Sequence, residues 1–134
     1  MKIKSNNFMQ TLKLFENVPY VWGDESLKGS DCSGTICYAL NKTFNTNIRI
    51  TADELFFNYF TRTTSNNPEN DICALFFLKN NKAIHVSGYI GNNLYLNESS
   101  LEPKYCGVIR SEKELYKMYN HLKIVKRFLN WSIL

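Results

Sequence analysis

The stretch GSDCSG, at residues 29–34, decides how the fold is interpreted, because it combines a helix start with a cysteine among small residues. Ser30 or Asp31 is a suitable N-cap for a helix that runs from about Cys32 to about Thr43. Cys32 would then lie in the first helical turn, where unpaired backbone N–H groups and the helix dipole favour a thiolate. A thiolate attacks carbonyl carbon, so the stretch predicts a nucleophile; a buried structural cysteine is the alternative.

The elements around this helix predict one α+β domain. Four apolar residues at helical spacing predict an N-terminal amphipathic helix: Phe8, Met9, Leu12 and Phe15. A short helix is predicted over residues 51–59, with Thr51 as its cap. Strands are predicted at residues 72–78, 83–90 and 94–98, and another starts near residue 108. Helices followed by an antiparallel meander favour N-terminal helices packed on a central antiparallel β-sheet.

The C-terminal part of the chain is predicted to be a charged helix. Helical spacing returns there at four residues: Leu115, Met118, Tyr119 and Leu122. The basic residues that follow are interpreted as a solvated face: Lys123, Lys126 and Arg127. His121 is interpreted as a surface residue of the same segment.

Length and composition limit the classes of function. With 134 residues, including 9 Phe, 8 Tyr and 2 Trp, the chain is expected to form a single domain over residues 1–134 with a sizeable core. The net charge of +4 comes from Lys and Arg spread along the chain, without a nucleic-acid motif. The longest apolar run, residues 72–78, is too short to span a membrane. The first residues lack the apolar core of a signal peptide, so we expect cytoplasmic synthesis.

The cysteine pattern argues against a metal centre. Cys32, Cys37, Cys73 and Cys106 are irregularly spaced and form no C-x-x-C unit. Without an export signal, we expect all four thiols to be reduced.

A histidine and an asparagine lie on predicted neighbouring strands. Alternation places His85 on the same face of its strand as Ser87. If the following loop has three residues, 91–93, Ser87 opposes Asn97, and Asn97 becomes the diagonal neighbour of His85. A two-residue turn would place Asn97 on the other face, so the pairing depends on register. With that register, Asn97 orients one ring nitrogen of His85 and leaves the other for Cys32.

These motifs, in this order, resemble the NlpC family of papain-like cysteine peptidases. The similar segments are PYVWG at residues 19–23, GSDCSG at 29–34, HVSGYIG at 85–91 and YLN at 95–97. The similarity extends from about residue 17 to about residue 109 and includes the order cysteine, histidine, polar residue.

The resemblance implies a papain-like domain that hydrolyses peptidoglycan stem peptides, most often between D-glutamate, through its γ-carboxyl, and a diamino acid. It implies that Cys32 is the nucleophile, His85 the base and acid, and Asn97 the third member of a triad. Two further positions, Asp31 and Ser33, match those that hold the free amino end of the stem peptide. Tyr20 matches a tyrosine at the rim of the cleft, near the oxyanion. The resemblance implies neither a metal nor a cofactor, and we expect the protein to be a monomer. We also expect Cys32 and His85 to form an ion pair at neutral pH.

Departures from the family pattern leave the substrate open. Asp24 replaces a second glycine, residues 69–71 replace a Pro-Gly-Asp turn, and Ile48 precedes Arg49 where the family has proline. An inactive binding or assembly module of the same fold, or a related amidase or acyltransferase, are the alternatives. Delivery also stays open among a phage tail or particle, release through a holin, and action inside the cell.

Overall fold

Helices precede a meander of strands in the computed structural model, which describes residues 2–134. In chain order the elements are α1 (Lys2–Lys13), β1 (Glu25–Ser26), β2 (Gly29–Ser30), α2 (Cys32–Phe44), α3 (Ala52–Glu54), β3 (Cys73–Lys79), β4 (Lys82–Gly91), β5 (Leu94–Glu98), β6 (Gly107–Ser111), α4 (Glu112–Met118) and β7 (Lys123–Phe128). A π-helical turn, Leu55–Tyr59, continues α3, and short 3₁₀ turns lie at Pro68–Asn70 and Trp131–Ile133. The predicted α+β class is confirmed.

Five of the strands form one antiparallel sheet in the order β6-β5-β4-β3-β7. Strand β4 is central, and α1 and α2 both contact it. Gly88 on β4 permits this close approach, because a Cβ atom there would lie 2.4 Å from Leu12 Cδ1 and 2.8 Å from Ile36 Cδ1. Phe8, Met9 and Leu12 of α1 are therefore buried as predicted, together with Ile36 and Leu40 of α2.

The hairpin between β4 and β5 combines a two-residue turn with a bulge. Asn92 and Asn93 both have positive φ angles, 55° and 60°, the conformation of a type I′ turn, and Gly91 pairs with Leu94. The register then shifts between Tyr89 and Gly91, and beyond the shift Gly88 pairs with Leu96. The bulge adds one residue to β4 and so compensates for a turn that is one residue shorter than the predicted loop. The register predicted for a three-residue loop is thus present, although the loop itself is shorter.

The C-terminal segment departs from the prediction. Helix α4 ends at Met118, and residues 123–128 form an edge strand that pairs with β3, not a helical face. Lys123 is exposed, whereas the other two basic residues are only half-exposed, and Lys126 forms an ion pair of 2.8 Å with Glu112. Strand β7 shows no apolar-polar alternation, and its partner lies about fifty residues earlier, as in the pair Phe76 and Val125. Such a strand is defined by its long-range partner and has no local signature.

Within the described part of the chain, residues 2–134, no helix is both long and apolar enough to cross a bilayer.

Gly34→Ala tests how tightly the start of α2 is packed. At an exposed helical position this change stabilises a helix by about 1 kcal/mol. Here the added Cβ would lie 2.2 Å from the backbone oxygen of Asp24 and 2.9 Å from Asp31 Oδ1. We therefore expect a loss of roughly 1–3 kcal/mol in the free energy of unfolding, measured with urea.

The matched control is Lys42→Ala, an exposed position on the same helix, which should change the stability by less than about 0.5 kcal/mol. An unchanged or higher stability of Gly34→Ala would contradict the packing at the start of α2.

Candidate active site

Helix α2 begins at a strong cap that places Cys32 in its first turn. Asp31 is the N-cap, and its Oδ1 atom accepts hydrogen bonds from the backbone N–H of Gly34 at 2.7 Å and from Ser33 Oγ at 3.2 Å. Its Oδ2 atom accepts the N–H of Gly23 at 2.8 Å, which fastens the preceding loop to the helix. Of the two caps that the sequence allowed, Asp31 is therefore the one used.

Arg49 holds both residues that were predicted to bind a substrate amine. Its Nη2 atom donates to the two oxygens of Asp31 at 3.0 and 2.9 Å, and its Nη1 atom donates to Ser33 Oγ at 3.1 Å. Asp31 is thus the charge partner of Arg49 as well as the helix cap. In the sequence, Arg49 belongs to a segment that departs from the family pattern, and no local signal predicts its hydrogen bonds to residues 18 and 16 positions earlier.

The sulfur of Cys32 lies against β4 at Val86, the residue that follows His85. Burial raises the pKa of the Cys32 thiol to about 12, and hydrogen bonds from the backbone at Val86 and at Ser33 act in the opposite direction. The side chain is 9% exposed. The helix start and the central strand therefore meet at this thiol.

His85 and Asn97 form the predicted pair across two strands. His85 Nε2 lies 2.7 Å from Asn97 Oδ1, and both side chains are buried. Ser87 Oγ donates to the same Oδ1 atom at 2.7 Å. Burial lowers the pKa of His85 to about 4, although the hydrogen bond to Asn97 raises it. The structure thus brings His85 and Asn97 together, and Cys32 lies against Val86, the next residue of the strand that carries His85.

Burial acts against the ion pair that the sequence analysis expected. A thiol with a raised pKa and an imidazole with a lowered pKa are both neutral at pH 7. The helix dipole and the neighbouring N–H groups favour the thiolate, but desolvation is the larger effect. Burial therefore favours a neutral thiol and a neutral imidazole in the resting site.

Tyr119 completes the surroundings of His85, and the sequence analysis missed its contribution to the site. Its ring stacks on the imidazole, with ring centroids 5.0 Å apart and an interplanar angle of 21°. Its hydroxyl lies 3.2 Å from His85 Nε2 and donates to Ser99 Oγ at 2.9 Å. The sequence placed Tyr119 only on an apolar helical stripe, and a tyrosine in such a stripe is the one available signal, because a buried hydroxyl needs a partner.

Tyr20 lies near Cys32, and Glu98 lies near Asp31, the cap of α2. Burial, together with the nearby Cys32 and Asp31, raises the pKa of Tyr20 to about 12, so its hydroxyl stays protonated. Glu98 is fully buried, and among residues 2–134 neither of its carboxyl oxygens has a hydrogen-bond partner. Burial raises the pKa of Glu98 to about 8. No pattern in the sequence indicates this carboxyl group.

A cleft of about 590 Å³ opens beside Cys32. It is lined by apolar and charged side chains, among them Trp22, Arg49, Asp53, Lys82 and Ile84. Trp22 lies at the edge of the cleft and is 83% exposed. No group of three His, Cys, Asp or Glu side chains within residues 2–134 is arranged to hold a metal ion. The cleft offers both charge signs and an aromatic surface to a polar ligand.

Comparison with known proteins points to one family. The sequence model of the NlpC/P60 family matches residues 17–123. The chain is 35% identical over 83 residues to the probable endopeptidase YafL of Escherichia coli, which covers 58% of this chain and 32% of that protein. It is 30% identical over 110 residues to the probable peptidoglycan endopeptidase LytE of Bacillus subtilis, which covers 73% of this chain and 32% of that protein. The chain thus spans about a third of the length of these relatives.

A solved structure of an NLP/P60 family protein from Staphylococcus aureus has the same fold. The superposition has a TM-score of 0.69 at 20% sequence identity. It covers 95% of this chain and 41% of the other. The similarity in fold thus extends over nearly the whole chain.

Glu98→Gln tests the buried carboxyl group through the pH dependence of stability. The pKa of Glu98 is raised in the folded protein from 4.5 to about 8, so between these values the folded state binds a proton that the unfolded state has lost. The contribution of Glu98 to the free energy of unfolding therefore falls as the pH rises from about 5 to about 8, and the variant should lack this contribution. Urea unfolding at pH 5, 6.5 and 8 should show the variant gaining stability relative to the wild type as the pH rises.

The control is Glu16→Gln, which removes an exposed carboxylate. A stability difference between Glu98→Gln and the wild type that is equal at all three pH values would exclude an elevated pKa at Glu98.

Proposed function

Because this chain belongs to the NlpC/P60 family, we propose that it is a cysteine peptidase that hydrolyses peptidoglycan stem peptides. Cys32 acts as the nucleophile, His85 as the base and then the acid, and Asn97 as the residue that orients the imidazole. The hydrogen bond of 2.7 Å between His85 and Asn97, beside a helix that starts with a cysteine, carries this proposal. The names of YafL and LytE, both probable endopeptidases, support it.

Proton transfer in the proposed reaction starts from the neutral pair. The His85 imidazole donates through Nε2 to Asn97, so its bare Nδ1 atom is the base. The Cys32 thiol gives its proton to Nδ1 as the sulfur attacks the amide carbon. Because burial disfavours both separated charges, the proton moves together with the attack and not before it.

The remaining steps use the same groups. His85 passes the proton to the departing amine, and the C–N bond breaks to leave a thioester on Cys32. A water molecule then gives a proton to His85 and attacks the thioester, which releases the carboxylic acid and restores the thiol. Backbone N–H groups in the first turn of α2 stabilise the oxyanion, and the protonated Tyr20 hydroxyl is a further donor.

We propose the amide between the γ-carboxyl of D-glutamate and a diamino acid as the bond cleaved. Stem peptides carry amines and carboxylates, and the cleft presents Asp53, Arg49 and Lys82. In this proposal Asp31 and Ser33 bind the free amino end. The substrate ammonium then has to replace Arg49, whose side chain is 31% exposed, as the charge partner of Asp31.

Cys32→Ala tests the nucleophile. The variant keeps the cap and the packing of α2 but has no sulfur to form a thioester, so cleavage should fall at least about a thousandfold. Mass spectrometry of purified muropeptides after incubation measures the products and identifies the bond. Cys37→Ala, a buried cysteine five residues further along the same helix, is the matched control and should keep most of the activity.

Activity retained in Cys32→Ala would refute the proposed nucleophile. Absence of cleavage by a folded wild-type protein would favour the inactive binding module, and products of another bond would favour the amidase or acyltransferase.

The pH dependence of kcat/KM distinguishes a neutral pair from an ion pair. With the pKa of His85 near 4 and the pKa of Cys32 near 12, the neutral pair is present across that whole interval. Activity should fall as the pH drops through about 4, because His85 gains a proton, and should show no alkaline fall below about pH 10. Initial rates on a soluble muropeptide measure the profile. An alkaline limb between pH 8 and 9 would show instead that an imidazolium is required.

A further inference from the structure

A buried carboxylate continues the polar chain behind Asn97. Asn97 Nδ2 donates to Glu102 Oε2 at 2.8 Å. Arg110 donates to both oxygens of Glu102, from Nε at 3.1 Å and from Nη2 at 2.6 Å. Glu102 is 1% exposed and Asn97 is fully buried. His85, Asn97, Glu102 and Arg110 therefore form one continuous series of hydrogen bonds.

The carboxylate decides which way the amide of Asn97 points. An asparagine side chain has a donor end and an acceptor end, and by itself it presents either end to a histidine. An ionised carboxylate only accepts hydrogen bonds, so the nitrogen of Asn97 has to face Glu102. The oxygen then faces His85, where Ser87 Oγ also donates to it.

The direction of the amide in turn selects the tautomer of His85. Because Asn97 offers an oxygen, His85 has to carry its proton on Nε2. Its Nδ1 atom then has no proton and is free to accept one from the thiol. With the amide reversed, the proton would lie on Nδ1, and the imidazole would be unable to act as base towards Cys32.

Arg110 compensates for the energetic cost of burying the charge of Glu102. A buried carboxylate without a partner is strongly destabilising, and a two-contact pair with arginine compensates for it. Arg110 lies on β6 directly opposite Tyr95, on the sheet face that carries Asn97. Its outer nitrogen, Nη1, donates to the exposed Glu114 at 3.1 Å, so its position is fixed from both sides.

We propose that Glu102, held by Arg110, is a positioning residue that fixes the tautomer of His85 through the amide of Asn97. Its effect on catalysis rests on the proposed peptidase function, whereas its effect on the imidazole does not. Glu102 forms no hydrogen bond with His85 or Cys32; it contacts the amide of Asn97, and its negative charge also raises the pKa of the His85 imidazole.

The first test is Glu102→Gln. Glutamine keeps the shape but presents either an oxygen or a nitrogen, so it no longer dictates the direction of the Asn97 amide. We expect kcat on the muropeptide to fall about 10- to 100-fold, with KM within about twofold, because substrate contacts are unchanged. Glu114→Gln is the matched control, since it removes the other carboxylate on Arg110 without reaching Asn97, and kcat should stay within about twofold.

The second test reads the imidazole directly and needs no substrate. In protein labelled with ¹⁵N-histidine, the nitrogen shifts of His85 distinguish the two neutral tautomers at pH 7, with the exposed His121 as an internal reference. The wild type and Glu114→Gln should show His85 protonated on Nε2. Glu102→Gln should show a substantial fraction protonated on Nδ1. An unchanged tautomer in Glu102→Gln would overturn the proposal, whatever the activity.

The third test reverses the hydrogen bond. Asn97→Asp alone places two carboxylates 2.8 Å apart at the former Asn97–Glu102 contact and should lower kcat. Adding Glu102→Gln supplies a donor to the new aspartate, which again accepts from His85 Nε2. The double variant should be at least about tenfold more active than Asn97→Asp. Loss of activity that adds up across the two substitutions would contradict the positioning role.

Folding and function are separated by design. Thermal unfolding of each variant identifies those that fold. If Glu102→Gln does not fold, Glu102→Asp keeps the charge beside Arg110 but withdraws the carboxylate from Asn97, and it should show the same mixture of tautomers. Wild-type protein that shows the Nε2 tautomer but cleaves no muropeptide would refute the proposed function and leave the positioning role intact.

Discussion

The structure depends on the register between β4 and β5, because this register brings the acceptor oxygen of Asn97 to His85. A slip of one residue would turn Asn97 to the helix side of the sheet and Glu98 to the histidine side. The two-residue turn at Asn92 and Asn93 would by itself produce such a slip, and the bulge before Gly91 compensates for it. The hydrogen bond of 2.7 Å is the local result of that compensation.

The second determinant of the site is the competition between burial and the helix start. The cap at Asp31 and the N–H groups of the first turn favour a thiolate at Cys32, but the thiol is packed against Val86 with little contact with water. Desolvation is the largest effect on both groups, so burial favours a neutral thiol at Cys32 and a neutral imidazole at His85. In the proposed reaction, transfer of the thiol proton together with attack by the sulfur is then favoured over ionisation of the thiol before the attack.

Two ion pairs hold loops against the candidate site. Arg49 ties the segment before α3 to the cap of α2 through Asp31. Arg110 ties β6 to the loop after β5 through Glu102. Glu98 is the exception, because within residues 2–134 its buried carboxyl has no partner, and burial raises its pKa towards the protonated form. The carboxylates of Asp31 and Glu102 thus have hydrogen-bond partners, whereas the carboxyl group of Glu98 has none within residues 2–134.

The sequence by itself determined the elements whose signals are local: the capped helix at Cys32, the capping box at Thr51, the strand runs and the alternation that gives His85 and Ser87 one face. It also carried the motif order that identifies the family. Only the tertiary structure decided the bulge that sets the register, the edge strand β7, the hold of Arg49 on Asp31 and the Glu102–Arg110 pair. These features depend on residues that are distant along the chain, so no single stretch of sequence predicts them. The pKa values at the site likewise depend on how deeply the tertiary structure buries each group.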